Sequence, residues 1–454
     1  MANSSILRIT RELNDIRKGS DLSIAVACRD IDVRHVKALI VGPPDTPYEF
    51  GFFEFDVRFP KEYPTKAPHV NATTTNGGRC RFNPNIYAQG KVCLSILGTW
   101  RGEPGEEWST AQGLESILIS IQSLMSSNPY ENEPGFEDAN SVDDKILQKA
   151  YVAKIRHETL RISVIQRLEE WLKIPFISTN GTTCEAAAPE QPQSYEVYEY
   201  DAERDYRESA EDYLFDPFKD LCKQRFLWYY DSYMLAIEKA SKLDKDGTKF
   251  TQMVFEGGGN SMDGKFHYTQ LKRRLGVIRE RLDAETKSWA EEGKTLAQKN
   301  SSLAVNLLGR FEQIVAAYKQ NSSAMVEVEL VDGNPFVWQL TLFGKPMTNL
   351  DGGLFKVRMC ISPRYPDEQP RVTVETPLFH QRVSKDGVLC YVPQQPDDAQ
   401  SHIEAIVTAI EDESPRYDPR TLVNPEAAQL LWGSAQDKKL YNRKMRRSAQ
   451  DSVD

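Results

Sequence analysis

The sequence predicts an α+β fold in which an antiparallel meander sheet flanked by helices occurs twice, with a helical extension joining the two copies. Short runs of alternating apolar and polar residues near each end of the chain indicate strands with one buried face. Apolar residues at helical spacing fill most of the middle. The dipeptide Tyr63-Pro64 returns as Tyr365-Pro366, with a cysteine-containing loop after each copy. A repeat this long indicates duplicated domains rather than a solenoid.

Residues 1–138 form the first predicted domain. Its opening helix is indicated by an apolar stripe that comprises Ile6, Ile9, Leu13 and Ile16. Strands are predicted at residues 23–28, 36–41 and 53–59, where apolar and polar side chains alternate. A later helix carries a second apolar stripe between Leu114 and Met125. We interpret both stripes as faces that pack into one core.

Residues 139–298 form the predicted helical extension. Helical patterns run to Leu172 and resume at Asp216. The stretch between them, near residues 178–213, is rich in proline, glutamine and acidic side chains, so we predict a disordered acidic insert there. One more helix is indicated by Leu271, Leu275, Ile278 and Leu282.

Residues 299–454 form the second predicted domain, which repeats the order of the first. A helix is indicated by the stripe of Leu308, Phe311, Val315 and Tyr318. Strands are predicted at residues 325–331, 336–343 and 354–361.

The composition limits the classes of ligand. The chain of 454 residues has 66 acidic and 56 basic side chains, a net charge of −10. This balance argues against nucleic acid as the main partner, because binding phosphates requires concentrated positive charge. No apolar run approaches the roughly 18 residues of a membrane span, and the start of the chain has no signal-peptide pattern. We therefore expect no membrane partner and a cytoplasmic location, with the basic run Lys438–Arg447 leaving a nuclear one open.

The cysteines predict chemistry rather than cross-linking. There are seven, an odd number, and no two are spaced as a CxxC pair. We therefore predict no disulfide framework, no metal site and no cofactor, and expect any cysteine with a function to act as a thiol reagent.

The densest motif is Asn83-Pro84-Asn85, followed seven residues later by Cys93. Prolines cannot serve a central strand, so Pro60, Pro64 and Pro68 ahead of the motif indicate an irregular chain leaving the sheet. Such a chain can arrange side chains around an exposed thiol.

These residues resemble the ubiquitin-conjugating enzymes. The ordered set of Gly42-Pro43, Thr46-Pro47-Tyr48, Tyr63-Pro64, Asn83-Pro84-Asn85 and Cys93-Leu94 is specific to that family as a set. The match is closest to the long Z-type class, which is similar in having asparagine at the position of Asn83 and in the run Gly98-Thr99-Trp100. The resemblance covers about residues 1–285.

The resemblance implies a role for each residue of the motif. Cys93 would accept ubiquitin as a thioester from the ubiquitin-activating enzyme and pass it to lysine amines of protein substrates. Asn85 would donate its amide to the oxyanion formed during transfer, or alternatively brace the loop. Asn83 and Pro84 would structure that loop.

The acidic gate of typical members is missing from this sequence. Its usual place reads Ser126-Ser127-Asn128, and Glu131 and Glu133 are the nearby carboxylates that could assist deprotonation of the amine.

The resemblance also implies partner surfaces. Ubiquitin ligases meet members of this family at the first helix and at two loops, represented here by Pro64 and Thr65 and by Trp108 and Ser109. Common ligase-binding members have phenylalanine at the position of Thr65 and proline at that of Thr110, so engagement of common ligase types stays open.

The second copy departs from the motif. His380-Gln381-Arg382 stands where the family has His-Pro-Asn, although Cys390 keeps its place. Two interpretations follow: Cys390 carries ubiquitin as well, or the domain is a degenerate module that docks a substrate or partner.

Two alternative functions stay open for the whole chain. One is a catalytically silent ubiquitin-binding scaffold, and the other is an enzyme that conjugates a ubiquitin-like modifier. The presence of Cys93 and Asn85 speaks against the scaffold.

Overall fold

The computed structural model describes residues 2–19, 21–102, 105–177, 183–184, 215–257, 262–320 and 325–453. The chain forms two compact units. The first contains residues 1–219 and 237–274, and the second contains residues 220–236 and 275–454. Residues of the predicted extension belong to both units.

The elements of the first unit follow the predicted order of helix, strands and helix. They are α1 (Ala2–Lys18), β1 (Ile24–Arg29), β2 (Asp32–Val41), β3 (Phe52–Arg58), β4 (His69–Ala72), α2 (Leu114–Leu124), α3 (Val142–Glu158), α4 (Arg167–Leu172), β5 (Phe176–Ile177) and β6 (Thr183–Cys184). A π-helical segment, Thr159–Gln166, joins α3 to α4. Helices α5 (Lys219–Ser241) and α6 (Tyr268–Gln298) contribute residues to both units.

The first sheet is an antiparallel meander in the order β1-β2-β3-β4. Its register pairs Ile24 with Ile40 and Phe55 with Ala72. Alternate side chains point to one face, where they form the apolar core with α1 and α2. The core includes Ile9, Leu13, Val36, Ala38, Ile40, Phe53, Phe55, Val57, Leu114, Ile117, Leu118 and Ile121.

The other face of this sheet is covered in part by the segment after α3. Glu54 on β3 forms an ion pair with Arg167, with Nε and Oε1 3.0 Å apart. The segment approaches so closely that a Cβ atom on Gly51 would lie 2.6 Å from the Ser163 Oγ. A larger residue at that position would displace the side chains of Ser163 and Thr159.

The second unit repeats the arrangement. Its remaining elements are α7 (Ser302–Gln320), β7 (Val326–Leu330), β8 (Val337–Phe343), β9 (Leu354–Cys360), β10 (Arg371–Val374), α8 (Ala399–Glu411), α9 (Pro425–Leu431) and α10 (Ala435–Asp451). The sheet order is β7-β8-β9-β10, again antiparallel. The predicted α+β class with two meander sheets is therefore confirmed.

The edge strands β4 and β10 of the two main sheets were not predicted. Strands β4 and β10 are four residues each and lie at the sheet edge directly after the proline-rich stretches. Pro60, Pro64 and Pro68 lie in irregular chain after β3, as predicted, and the chain rejoins the edge of the sheet at β4.

The predicted acidic insert lies almost entirely outside the described residues. Within it, Thr183–Cys184 pairs with Phe176–Ile177 as a short antiparallel sheet. In the described part of the chain, no helix is both long enough and apolar enough to cross a membrane.

Candidate active site

Asn83 anchors the loop that carries the motif. Its side chain is fully buried, and Nδ2 donates to the Leu124 carbonyl at 2.8 Å and to the Tyr48 hydroxyl at 3.0 Å. Its Oδ1 accepts from the Asn85 main-chain N–H at 2.9 Å. The structure thus places Asn83 between helix α2 and the motif, and Pro84 is buried beside it.

Asn85 and Cys93 are joined by two hydrogen bonds. The Asn85 Nδ2 donates to the Cys93 carbonyl at 3.1 Å, and the Cys93 N–H donates to the Asn85 carbonyl at 2.8 Å. The amide therefore lies at the cysteine, but in this conformation it bonds to the main chain.

Cys93 is less accessible than the sequence suggested. The residue is only 3 % exposed, so the expectation of an exposed thiol is wrong for this conformation. It does not belong to the apolar core cluster, and the side chain that reaches it is polar. Burial raises the pKa of Tyr87, and the neighbouring side chain of Cys93 raises it further. Tyr87 is therefore a neighbour of Cys93 in the loop.

Arg81 holds Tyr87 in this position. Its guanidinium carbon lies 4.4 Å from the centre of the Tyr87 ring, a cation–π contact. The Arg81 Nη2 also donates to the Pro84 carbonyl at 2.5 Å and to the Glu133 Oε2 at 3.2 Å. Arg81 and Tyr87 were missed from the sequence, although Tyr87 lies between the two halves of the motif.

Two carboxylates were candidates for deprotonating the amine. Glu133 contacts Arg81 and so belongs to the group of side chains near Tyr87, whereas Glu131 does not. Burial raises the pKa of Glu133, and the charge of Arg81 opposes the rise. Glu131 is exposed and accepts a hydrogen bond from the Asn128 amide at 2.7 Å.

A segment that follows α5 in the sequence contacts Arg81 and the residues around it. The Phe255 carbonyl accepts from the Arg81 Nη1 at 3.5 Å, and the Phe255 ring lies 5.4 Å from that of Tyr130. The next residue, Glu256, forms a buried ion pair with Lys154, with a separation of 2.5 Å. Residues far along the chain thus fix the position of Arg81.

The four predicted partner-binding residues come from two loops that the structure brings together. The Trp108 Nε1 donates to the Pro64 carbonyl at 2.8 Å. Thr65 and Ser109 are exposed beside this contact. Helix α1 borders the same surface, because Arg8 donates to the Gln112 carbonyl at 2.7 Å.

In the second unit, Cys390 occupies the place of Cys93 but is inaccessible to solvent. Its N–H donates to the Arg382 carbonyl at 2.9 Å, as that of Cys93 does to Asn85. The residue is fully buried, and burial raises the pKa of its thiol to about 12. Such a thiol is a poor nucleophile, because the reactive species is the thiolate. Among the described residues, no group of three histidine, cysteine or acidic side chains is arranged to hold a metal ion.

Comparison with known proteins agrees with this geometry. A family model described as ubiquitin-conjugating enzyme matches residues 8–159 and 310–449. Ubiquitin-conjugating enzyme E2 Z of Homo sapiens is 36 % identical over 281 residues, which are 62 % of this chain and 64 % of that protein. E2 Z of Xenopus tropicalis is 49 % identical over 174 residues, 38 % of this chain and 54 % of that protein.

A third relative has a broader description. The human dual E2 ubiquitin-conjugating enzyme/E3 ubiquitin-protein ligase BIRC6 is 44 % identical over 153 residues, 33 % of this chain and 3 % of that protein. The chain thus spans less than two thirds of the length of each of these relatives. The resemblance of the chain to the Z-type class is confirmed. The resemblance of the second domain to ubiquitin-conjugating enzymes is confirmed as well.

Proposed function

This chain belongs to the ubiquitin-conjugating enzyme family, and we propose that it carries ubiquitin as a thioester on Cys93 and transfers it to lysine amines of protein substrates. The observation that carries the proposal is the pairing of Cys93 with Asn85, which puts a nucleophile and an amide donor on one braced loop. Ubiquitin, an activating enzyme and ligases are the partners that the family implies.

Loading is an exchange of thioesters. The Cys93 thiolate attacks the carbonyl carbon of the thioester on the activating enzyme, a bond from carbon to the Cys93 sulfur forms, and the enzyme's own sulfur leaves as a thiolate. ATP is consumed by the activating enzyme, so this step requires no nucleotide on the present chain.

Loading also requires access to the Cys93 sulfur. The residue is only 3 % exposed, so an incoming thioester needs a change in the surrounding loop. We infer that this change involves the half-buried side chain of Tyr87, which lies in the same loop between Asn85 and Cys93.

Transfer then uses Asn85 in its second role. A lysine amine attacks the thioester carbonyl, the oxygen becomes an oxyanion, and the Cys93 sulfur leaves as the amide forms. The Asn85 amide braces Cys93 in the free enzyme and donates to that oxyanion during transfer. Such a donor typically accelerates the reaction by about 10²–10³-fold.

Glu133 accepts the proton that the amine loses. Its raised pKa brings it closer to the range of an efficient general base, and its contact with Arg81 links it to the Cys93 loop. Glu133 thereby takes the place of the acidic gate that the sequence lacks.

A silent ubiquitin-binding scaffold is the second candidate, and the burial of Cys93 is the observation that favours it. The two functions separate in a loading assay with activating enzyme, ATP and ubiquitin. The enzyme forms a thiol-sensitive adduct that Cys93→Ala abolishes, and the matched variant Cys390→Ala retains it. Absence of an adduct on the unmodified chain, with ubiquitin still bound, supports the scaffold.

The identity of the modifier is tested in the same assay. Ubiquitin and purified ubiquitin-like proteins are offered one at a time with their own activating enzymes. We expect loading by ubiquitin; loading only by another modifier would identify a different conjugation pathway.

A further inference from the structure

The two peptide groups on either side of the Cys93 Cα atom are fully hydrogen-bonded. Their four polar groups are the Val92 carbonyl, the Cys93 N–H, the Cys93 carbonyl and the Leu94 N–H. Asn85 binds the two groups of Cys93, with distances of 2.8 Å at the N–H and 3.1 Å at the carbonyl. The other two groups are bound by one hydroxyl, that of Thr99.

The Thr99 hydroxyl is a donor and an acceptor at the same time. Its Oγ1 donates to the Val92 carbonyl at 2.6 Å and accepts from the Leu94 N–H at 3.0 Å. The Leu94 carbonyl lies farther from the same Oγ1, at 3.2 Å. A hydroxyl has one proton to donate, so the shorter contact with Val92 takes it. One side chain thus bridges the residues before and after the nucleophile.

A tight turn brings Thr99 back to these residues. The chain forms a 3₁₀ turn at Ser95–Leu97, and Gly98 ends this turn in the left-handed conformation, with φ 66°. Glycine adopts such a φ without a steric penalty. The Thr99 N–H then donates to the Leu94 carbonyl at 3.2 Å. The pair Gly98-Thr99 is therefore the sequence feature that places this hydroxyl at the main chain of Cys93.

The bonds of Thr99 lie at the surface of the first unit. Thr99 is exposed and Leu94 is half-buried, whereas Val92 is buried. Substitution of Thr99 therefore removes little packing from the core. A water molecule can pair with the groups that the hydroxyl leaves, but it does not tether them to the chain.

The second unit has lost both of the side chains that bind these groups. Arg382 stands in the place of Asn85, and six residues after Cys390 the chain has Pro396 in the place of Thr99. Proline has neither a hydroxyl nor an N–H. The main-chain bond is retained, because the Cys390 N–H donates to the Arg382 carbonyl at 2.9 Å. Asn85 and Thr99 are therefore replaced together in the copy whose cysteine is inaccessible to solvent.

The proposed transfer step gives the two side chains different tasks. The Asn85 amide braces the Cys93 carbonyl in the free enzyme and donates to the oxyanion during transfer, so its bond to that carbonyl is shared or lost at this step. The bonds of Thr99 involve main-chain groups of the neighbouring residues and no reacting atom, so they stay in place.

We propose that Thr99 is a positioning residue that holds the main chain of Cys93 while the Asn85 amide serves the oxyanion. This role depends on the proposed thioester chemistry of Cys93. The amine and the thioester carbonyl must meet in a defined geometry, and a misplacement of about 1 Å can lower the rate by about 10²-fold. Thr99 acts through the main chain and does not contact the substrate.

Single-turnover kinetics of the full chain test this role. The chain is loaded with activating enzyme, ATP and ubiquitin, and the thioester is then discharged to free lysine. Thr99→Val replaces the hydroxyl by a methyl group of similar size, so it removes both bonds with little change in shape. We expect discharge to slow by about tenfold or more. Loading should slow much less, because Asn85 still braces Cys93 during that step.

Two further variants are the controls. Thr99→Ser keeps the hydroxyl and should restore discharge to nearly the rate of the unmodified chain. Thr348, in the second unit, makes the same kind of pair: its Oγ1 donates to the Lys345 carbonyl at 2.7 Å and accepts from the Leu350 N–H at 3.2 Å. Thr348→Val removes an equivalent pair of bonds, but none that holds the Cys93 loop, so both rates should stay unchanged.

Two results would overturn the proposal. One is discharge of Thr99→Val at the unmodified rate, and the other is an equal slowing of loading and discharge, which would make Thr99 a structural residue only. If Thr99→Val does not fold, Thr99→Ala takes its place with the same criteria. Failure of the unmodified chain to load is a different result, because it contradicts the proposed function itself and this role with it.

Discussion

The side-chain amide of Asn85 donates a hydrogen bond of 3.1 Å to the main-chain carbonyl of Cys93. The donor that the family motif suggests for an oxyanion is therefore already beside the nucleophile, and it stabilises the loop until substrate arrives. In the proposed function this one side chain has a structural and a catalytic role, and the two can be separated by experiment.

Replacing Asn85 by alanine should slow transfer far more than loading. We expect discharge of ubiquitin to free lysine to fall by about 10²–10³-fold, because one oxyanion donor is lost. Single-turnover rates of loading and discharge, measured separately, check this.

Asn83→Ala is the matched control. Its amide bonds to Tyr48 and Leu124 rather than to Cys93, so its loss should lower the free energy of unfolding by about 1–3 kcal/mol. An equal loss of both rates in Asn85→Ala would show that Asn85 only braces the loop.

Removing the ring of Tyr87 should expose the Cys93 sulfur. We expect Tyr87→Ala to raise the rate of alkylation of Cys93 by iodoacetamide severalfold, because a large side chain in the neighbourhood of the sulfur is gone. Peptide mapping after timed alkylation gives the rate at this cysteine alone.

Tyr87→Phe keeps the ring but not the hydroxyl, and it should raise the rate less than Tyr87→Ala. If both variants react no faster than the unmodified chain, Tyr87 does not control access. Cys390 should stay unreactive in all of them, because it is fully buried.

The buried ion pair of Lys154 and Glu256 should be costly to break. Lys154→Met leaves the Glu256 carboxylate unpaired in a site where it is only 5 % exposed, so we expect a loss of about 3–5 kcal/mol in the free energy of unfolding. Urea denaturation measures it. The double variant Lys154→Met with Glu256→Gln should recover part of the loss; a loss as large as that of the single variant would mean that the pair is not the cause.

The stability of the first unit should fall in acid through Glu158. Burial alone would raise the pKa of Glu158, but hydrogen bonds from Arg161 and His157 hold it at about 2. The unfolded carboxyl binds its proton near its ordinary value of 4.5, so the stabilisation is present above that pH and is lost as pH falls from there towards 2.

The lowering of the Glu158 pKa from 4.5 to about 2 corresponds to roughly 3 kcal/mol of stabilisation of the folded chain. The Glu158→Gln variant should therefore show a flatter decline in unfolding free energy between pH 5 and pH 3 than the unmodified chain. Parallel declines would contradict this role.

The sheets were predictable because their inner faces obey a strict alternation. Phe53, Phe55 and Val57 point into the core and pair in register with β2, so the pattern alone located the strand. The four-residue edge strand His69–Ala72 lacks this pattern, since its side chains are mostly exposed or half-buried.

The environments of Cys93 and Cys390 were not predictable from the sequence. Cys93 is 3 % exposed, and its neighbour Tyr87 packs against Arg81, which in turn bonds to Phe255. The pKa of the Cys390 thiol is lowered by the charge of Arg225, which lies far from it in the sequence, although burial raises it more. Local patterns identify which side chains a loop carries, but contacts from distant segments decide whether a thiol is open or closed.

Mass spectrometry of the chain after loading, with the thioester preserved at low pH, shows which cysteine carries ubiquitin. We expect one ubiquitin attached to Cys93 and none attached to Cys390. Attachment at Cys390, or an unmodified Cys93 in a chain that has captured ubiquitin, would contradict this expectation.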